Sequence, residues 1–176
     1  KVSNGGTGTF PFTVTGATIA SDSVTTTASG SALTSATLHV GTAGTAITVS
    51  ETVPAGWRAT TASCTDTNSA VSGNTNPVNA ALSGYPVAAG GTASITIPAA
   101  NARLNADITC TFTNERLATL TIRKVQTNGA PAFTFNATGT GLPASFTLNP
   151  TGSGGTAQQT FSNLTPGASY SVTEIV

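Results

Sequence analysis

The chain has 176 residues, enough for one or two domains that bury a hydrophobic core. Charge is sparse: six Lys and Arg balance six Asp and Glu. The clustered basic residues of a nucleic-acid-binding protein are missing, and no apolar run reaches the roughly 20 residues of a membrane span. Thr and Val, both frequent here, favour half-buried pleated strands, so the composition predicts an all-β protein.

Short apolar and Thr-rich runs predict strands along the whole chain. In the first part they are Phe10–Thr15, Thr37–His39, Ala46–Glu51, Trp57–Ala62, Ala93–Ile97 and Asp107–Asn114. In the second part they are Leu117–Val125, Phe133–Thr138, Ser145–Leu148, Thr160–Ser162 and Tyr170–Glu174. Clusters of Gly, Pro, Asn and Ser separate these runs, and no stretch has helical periodicity. Many short strands separated by turns predict a β-sandwich.

The two cysteines, Cys64 and Cys110, lie far apart and lack the spacing of a metal site. Cys110 is in the middle of a predicted strand, and Cys64 follows another. In an extracellular protein this arrangement favours one disulfide between strands, which would contribute about 4 kcal/mol on the chain-entropy model. Two buried free thiols are the alternative.

An internal repeat is the clearest feature of the sequence. Residues Lys1–Gly16 align without gaps on Lys124–Gly139, at an offset of 123, and share the lysine and both phenylalanines. The same offset places Glu51 on Glu174. Both lysines of the chain, and two of its three glutamates, therefore occupy equivalent positions, which chance rarely produces in a chain with so few charges.

The repeat predicts two domains. We expect residues 1–116 to form one module, and residues 117–176 to form the N-terminal half of a second, incomplete module. That half cannot close its own core. Either the chain was cut short, or another segment, from a neighbouring repeat or a second copy, completes the sheet, whose open edges invite another strand.

Three motifs carry a resemblance to a known family. They are Phe10-Pro-Phe-Thr-Val-Thr-Gly16 after the lysine, Thr48-Val-Ser-Glu-Thr-Val-Pro-Ala-Gly-Trp57, and Thr111-Phe-Thr-Asn114. Together they resemble the collagen-adhesin B-type (CnaB-like, SpaA or prealbumin-like) repeat domain of bacterial surface proteins and pili. This resemblance implies tandem immunoglobulin-like β-sandwich modules and an extracellular location on the bacterial cell surface.

The resemblance also implies chemistry. In many members a lysine of the first strand forms an isopeptide bond with an Asn or Asp of the last strand, assisted by a glutamate. Here it implies Lys1 as nucleophile, Asn114 as acceptor and Glu51 as proton shuttle. Lys124 and Glu174 match in the second module, whose acceptor would lie beyond residue 176.

Two alternatives to this assignment stay open on the sequence alone. Lys1 and Glu51 could form a buried salt bridge with no covalent step. Asp107 is a second candidate acceptor, although it lies seven residues before Asn114.

The expected role is that of a structural module of a stalk, pilus or filament. Its partners would be neighbouring repeats or copies of itself. The alternative is an adhesin that binds a host protein or glycan through loops such as Thr65–Tyr85. We expect no enzyme with an external substrate, no cofactor and no metal, because the single histidine, His39, has no cluster of potential ligands around it in the sequence.

Overall fold

The computed structural model describes residues 1–18, 20–34, 40–128 and 132–176, so the strand predicted at Thr37–His39 lies outside the described residues. The chain divides into two compact units, Lys1–Arg116 and Leu117–Val176. Both are built from strands. The helical elements among the described residues are a short helix α1 (Ser69–Ser72) and a 3-10 turn at Ala99–Asn101. Within the described ranges, no helix has the length and apolar character needed to cross a membrane.

The first unit has two sheets. Its strands are β1 (Val2–Asn4), β2 (Thr9–Thr15), β3 (Ser21–Thr25), β4 (Ile47–Thr52), β5 (Trp57–Asp66), β6 (Thr92–Ile97) and β7 (Ile108–Arg116). One sheet is antiparallel with the order β3-β2-β4-β6, and the other has the order β1-β7-β5. In the second sheet β7 runs antiparallel to β5 and parallel to β1.

The core of the first unit lies between these sheets. Side chains alternate across a strand, so the Thr-apolar pattern of β2 turns Phe10 and Phe12 inward. Phe10 meets Trp57 of β5 edge to face with ring centroids 5.1 Å apart, and Phe12 meets Phe112 of β7 at 5.2 Å. These contacts join the two sheets, and the predicted all-β sandwich is confirmed.

The second unit has five strands in the part that the structure describes. They are β8 (Ala118–Val125), β9 (Phe133–Thr138), β10 (Ser145–Leu148), β11 (Thr156–Leu164) and β12 (Ser171–Glu174). Strands β8 and β11 form one sheet, and β10-β9-β12 form another. This order repeats β3-β2-β4, and the register repeats as well: Phe12 lies opposite Glu51, and Phe135 lies opposite Glu174.

Several strand boundaries differ from the sequence prediction. Strand β3 was not predicted, because it buries a single apolar side chain, Val24. Strand β1, of only three residues, was expected through the resemblance alone, which puts Lys1 on a first strand. Strand β5 continues beyond Ala62 to Asp66, where alternating inward positions are filled by Cys64 and Asp66 itself. Strand β11 is longer than predicted, since polar residues on its exposed positions hide the alternation.

Candidate functional site

Glu51 lies in the core of the first unit. Strand β4 is flanked by β2 and β6, and its alternation points Ile47, Val49 and Glu51 inward. The side chain of Glu51 is completely buried. A carboxylate in such a place is costly unless other groups donate hydrogen bonds to it, so its neighbours define the site.

Lys1 supplies the first of these neighbours. Its Nζ lies 2.6 Å from Glu51 Oε2, and both side chains are 0% exposed. The Phe10 ring centroid is 4.0 Å from the same nitrogen, and the Phe12 centroid is 6.0 Å away. Burial lowers the pKa of Lys1 to about 8, although the hydrogen bond and charge of Glu51 act in the opposite direction. The ammonium can therefore become a neutral amine near physiological pH.

Asn114 supplies the second neighbour. It lies on β7, is 0% exposed, and donates a hydrogen bond from Nδ2 to Glu51 Oε1. Its carbonyl oxygen Oδ1 is buried and has no hydrogen-bond partner among the described residues. The parallel pairing of β1 with β7 sets Ser3 beside Asn114, which brings the chain just before Ser3 close to this amide.

The arrangement has the groups needed to join an amine to an amide. One carboxylate contacts both the nitrogen that must lose protons, Lys1 Nζ, and the nitrogen that must gain one, Asn114 Nδ2. The main chain of Lys1 is held by two hydrogen bonds with Leu33, of 2.7 and 2.9 Å. Strand β1 begins at Val2, immediately after Lys1.

Asp107, the other candidate acceptor, lies elsewhere. It is exposed just before β7, and its carboxylate accepts a hydrogen bond from the Thr67 hydroxyl at 3.1 Å. Across the described ranges, no group of three or more His, Cys, Asp or Glu side chains could hold a metal ion. His39 falls outside those ranges.

The second unit contains a Lys–Glu pair of a different kind. Lys124 Nζ lies 2.6 and 2.8 Å from the two oxygens of Glu174, and the Phe133 ring centroid is 4.1 Å from the nitrogen. The side chains are 22% and 32% exposed. In the part of this unit that the structure describes, no amide side chain hydrogen-bonds to the pair, which stays a two-residue ion pair.

The predicted disulfide between Cys64 and Cys110 is formed, and no free cysteine remains. The two residues face each other in the register of β5 and β7, with their Cα atoms 4.0 Å apart. The bond therefore ties together the strand that carries Trp57 and the strand that carries Asn114.

Sequence reasoning did not identify Asp66, a second buried carboxylate. Its Oδ1 accepts the backbone N–H groups of Asn68 and Asp107, both at 2.9 Å, and its Oδ2 accepts from Ser72 and Asn74. Burial alone would raise the pKa of Asp66, but these four donors outweigh it and lower the pKa to about 2. Three of the donors lie within eight residues of Asp66, and the fold adds the fourth, Asp107, from 41 positions away.

The loop proposed for an adhesin, Thr65–Tyr85, is anchored at several points. It starts within β5, contains the Asp66 cluster and α1, and buries Val78 completely in the core. Its backbone also bonds to the sandwich, as from the Ala80 N–H to the Thr96 carbonyl at 2.8 Å. The segment is an integral part of the first unit.

Comparison with known proteins gives one match. The family described as a prealbumin-like fold domain, of the SpaA type, matches residues 1–116, which is more than half of the chain. No curated protein and no solved structure matches. Domains of this type are structural rather than enzymatic and belong to bacterial surface and pilus proteins. The chain is therefore a member of the SpaA-type prealbumin-like fold domain family.

Proposed function

We propose that this chain is a structural module of an extracellular bacterial stalk, pilus or filament, and that an isopeptide bond between Lys1 and Asn114 closes its first unit. The observation that best supports this proposal is that Lys1, Glu51 and Asn114 meet in one water-excluded core. There the carboxylate contacts both nitrogens of the proposed reaction. Reactants held in this way gain a large effective molarity, and one slow turnover is enough.

The reaction can be written with all atoms balanced. Glu51 accepts a proton from the Lys1 ammonium, and the freed electron pair of Nζ attacks Cγ of Asn114. The carboxyl returns its proton to Nδ2, the Cγ–Nδ2 bond breaks, and ammonia leaves. The attacking nitrogen loses its second proton to Glu51. The product is an Nζ–Cγ amide beside a neutral carboxyl.

The loss of both buried charges in this reaction favours the covalent step over a permanent salt bridge. Before the reaction two full charges lie in an apolar core, where desolvation offsets much of their attraction. After the reaction both charges are gone. The escape of ammonia into solvent makes the step irreversible in practice.

Intact-mass measurement tests the bond. We expect the purified chain to be lighter by one ammonia, and a peptide map to show residue 1 joined to residue 114. The variant Asn114→Asp should lose water instead and reach the same linked mass. Glu51→Gln, which keeps the shape but cannot accept a proton, should retain the full mass. A wild-type chain of full mass would refute the bond.

The rate of bond formation should depend on pH. The Lys1–Glu51 pair shares the proton that the mechanism passes to Nδ2, and because burial lowers the pKa of Lys1 to about 8, the pair loses that proton to solvent above that pH. Below pH 8 the rate should therefore stay level, and above it the rate should fall by up to about tenfold per pH unit. A mass time course on freshly folded chain at several pH values measures this, and a flat profile would contradict the proposed role of Lys1.

The bond would also explain a mechanical role. A link from residue 1 to residue 114 leaves nearly the whole first unit outside the path of a force applied at its ends. In single-molecule stretching between residues 1 and 116, the wild-type unit should give no unfolding extension. In Asn114→Ala the whole first unit should extend on unfolding, except for the segment between Cys64 and Cys110, which the disulfide keeps closed.

We further propose that the second unit is the start of another module, completed by a neighbouring repeat or a second copy of the chain. The strand order and the Phe135–Glu174 register, which repeat those of the first unit, support this. Sedimentation over a range of concentrations, with hydrogen exchange on the second unit, tests completion by a second copy. A monomer at all concentrations whose second unit exchanges as slowly as the first would contradict it.

The adhesin alternative rests on no contact in the described part of the structure. Thr65–Tyr85 could still be tested by binding to host proteins or glycans before and after exchange of its exposed residues, such as Val71. Loss of binding would favour the adhesin.

A further inference from the structure

Strand β1 must hold Lys1 in place with very little structure of its own. It has only three residues, and the side chain that it buries most deeply belongs to Ser3, which is polar and 0% exposed. No buried apolar side chain anchors the strand. Fixing a lysine side chain and its main chain costs conformational entropy, so a further interaction has to hold this strand besides its ladder with β7 and the hydrogen bonds of Lys1 to Leu33.

A buried pair of hydroxyl groups provides that interaction. Ser3 Oγ lies 2.7 Å from Thr26 Oγ1 and 2.8 Å from the Gly6 carbonyl oxygen. Thr26, directly after β3 and 2% exposed, also accepts the Gly8 N–H at 3.0 Å. The pair thus clamps β1 to the segment that leads into β2 and to the end of β3.

The clamp adjoins both reactants. Ser3 is paired with Asn114 in the register of β1 and β7, and it lies two residues after Lys1 on the same, inward face. The Ser3 carbonyl also accepts the Gly30 N–H at 2.8 Å. A shift of Ser3 would therefore move the amine relative to the amide.

The second unit uses the equivalent position in a similar way. Gln126, two residues after Lys124, is only 5% exposed, and its Nε2 donates to the carbonyls of Pro150 and Gly152 at 3.2 and 2.8 Å. A buried polar anchor two residues after the lysine is thus common to both units, although the partners differ.

We propose that the Ser3–Thr26 hydroxyl pair is a positioning device for the isopeptide reaction, which holds Lys1 against Glu51 and Asn114. The inference rests on the proposed bond between Lys1 and Asn114. Neither hydroxyl takes part in the proton transfers. A displacement of about 1 Å at a reacting centre can reduce a rate by a factor of about 100, so loss of the clamp should slow the reaction without changing its product.

The test compares two variants of one residue in newly synthesised chain, followed by intact mass. Thr26→Val keeps the shape but lacks the hydroxyl, and the loss of ammonia should be at least tenfold slower. Thr26→Ser keeps the hydroxyl and should retain a rate close to that of the wild type. The pH midpoint near 8 should be unchanged in both, because the Lys1 environment keeps its chemistry.

A matched control separates positioning from general stability. Thr48→Val removes a comparable hydroxyl pair, Thr48–Thr96 at 3.1 Å, between strands of the other sheet. It should lower the melting temperature without slowing ammonia loss. If Thr26→Val fails to fold, Ser3→Ala gives the same comparison from the other side of the pair.

The outcomes distinguish the two proposals. If the wild type loses ammonia and both Thr26→Val and Ser3→Ala react at the wild-type rate, the positioning role is refuted while the bond stands. If Thr26→Val is slowed no more than Thr48→Val, the role is likewise refuted. If the wild type itself never loses ammonia, both the bond and the positioning role fall.

Discussion

The two units contain equivalent Lys–Glu pairs, at the same spacing in sequence, in two very different environments. In the first, Lys1 and Glu51 are fully buried and Asn114 contacts the carboxylate. In the second, Lys124 and Glu174 are about a quarter to a third exposed, and among the described residues they have no amide beside them. Equal spacing in sequence therefore does not give equal chemistry. A third side chain and exclusion of water turn an ordinary ion pair into a candidate reaction centre.

The largest expected effect is a loss of stability that is confined to the first unit. If the bond forms, Asn114→Ala opens a closed loop of more than 100 residues, which on the chain-entropy model costs about 5 kcal/mol. For a unit of this size the melting temperature should fall by roughly 20 °C. Calorimetry should show the fall in the transition of the first unit only. The exposed Asn136→Ala in the second unit is the control, and equal shifts for both variants would contradict the comparison.

Reduction of the disulfide should have the next largest effect. Cys64 and Cys110 are separated by 46 positions, and opening that loop costs about 4 kcal/mol on the same model. The second unit contains no cysteine, so a reducing agent should lower the melting temperature of the first unit alone. The double variant Cys64→Ser, Cys110→Ser should behave like the reduced protein and should not respond to the reductant.

Acid should weaken the first unit through Asp66. Its pKa in the folded chain is lowered to about 2 from 3.8, so its stabilising effect is complete above about pH 4 and is lost as the pH falls toward 2. The unfolding midpoint measured from pH 5 to pH 2 should fall more steeply in the wild type than in Asp66→Asn. Parallel curves would show that the four hydrogen bonds do not favour the charged form.

The smallest effect is expected in the second unit. A partly exposed ion pair contributes up to about 1 kcal/mol, so Glu174→Gln should change the stability of that unit very little. The wild-type chain should also lose one ammonia and not two, because Lys124 has no acceptor amide in the described structure. A second ammonia lost from this chain would mean that the two environments are chemically equivalent after all.

The sequence predicted the parts of the site that depend on register. An offset of 123 identified both Lys–Glu pairs, and strand alternation turned Glu51 inward because Val49 on the same face is apolar. The cysteines were predicted to pair because each was assigned to or beside a strand. These features depend on residue type and spacing, which the sequence displays directly.

Other features depend on contacts that only the fold brings together. The Asp66 cluster combines local donors, among them the Asn68 N–H two residues on as in an Asx turn, with the Asp107 N–H, which lies 41 positions from Asp66. The Ser3–Thr26 pair joins two ordinary polar residues 23 positions apart. The different burial of the two lysines also could not be predicted, since it depends on which strands cover them.

The parallel pairing of β1 with β7 determines how the first unit would resist tension in a chain without the covalent link. Because both strands run in the same direction, pulling on residue 1 and on residue 116 slides one strand along the other. The hydrogen bonds of the ladder are then loaded in shear, all at the same time. An antiparallel pair pulled from adjacent ends would instead peel open one bond after another, at a much lower force.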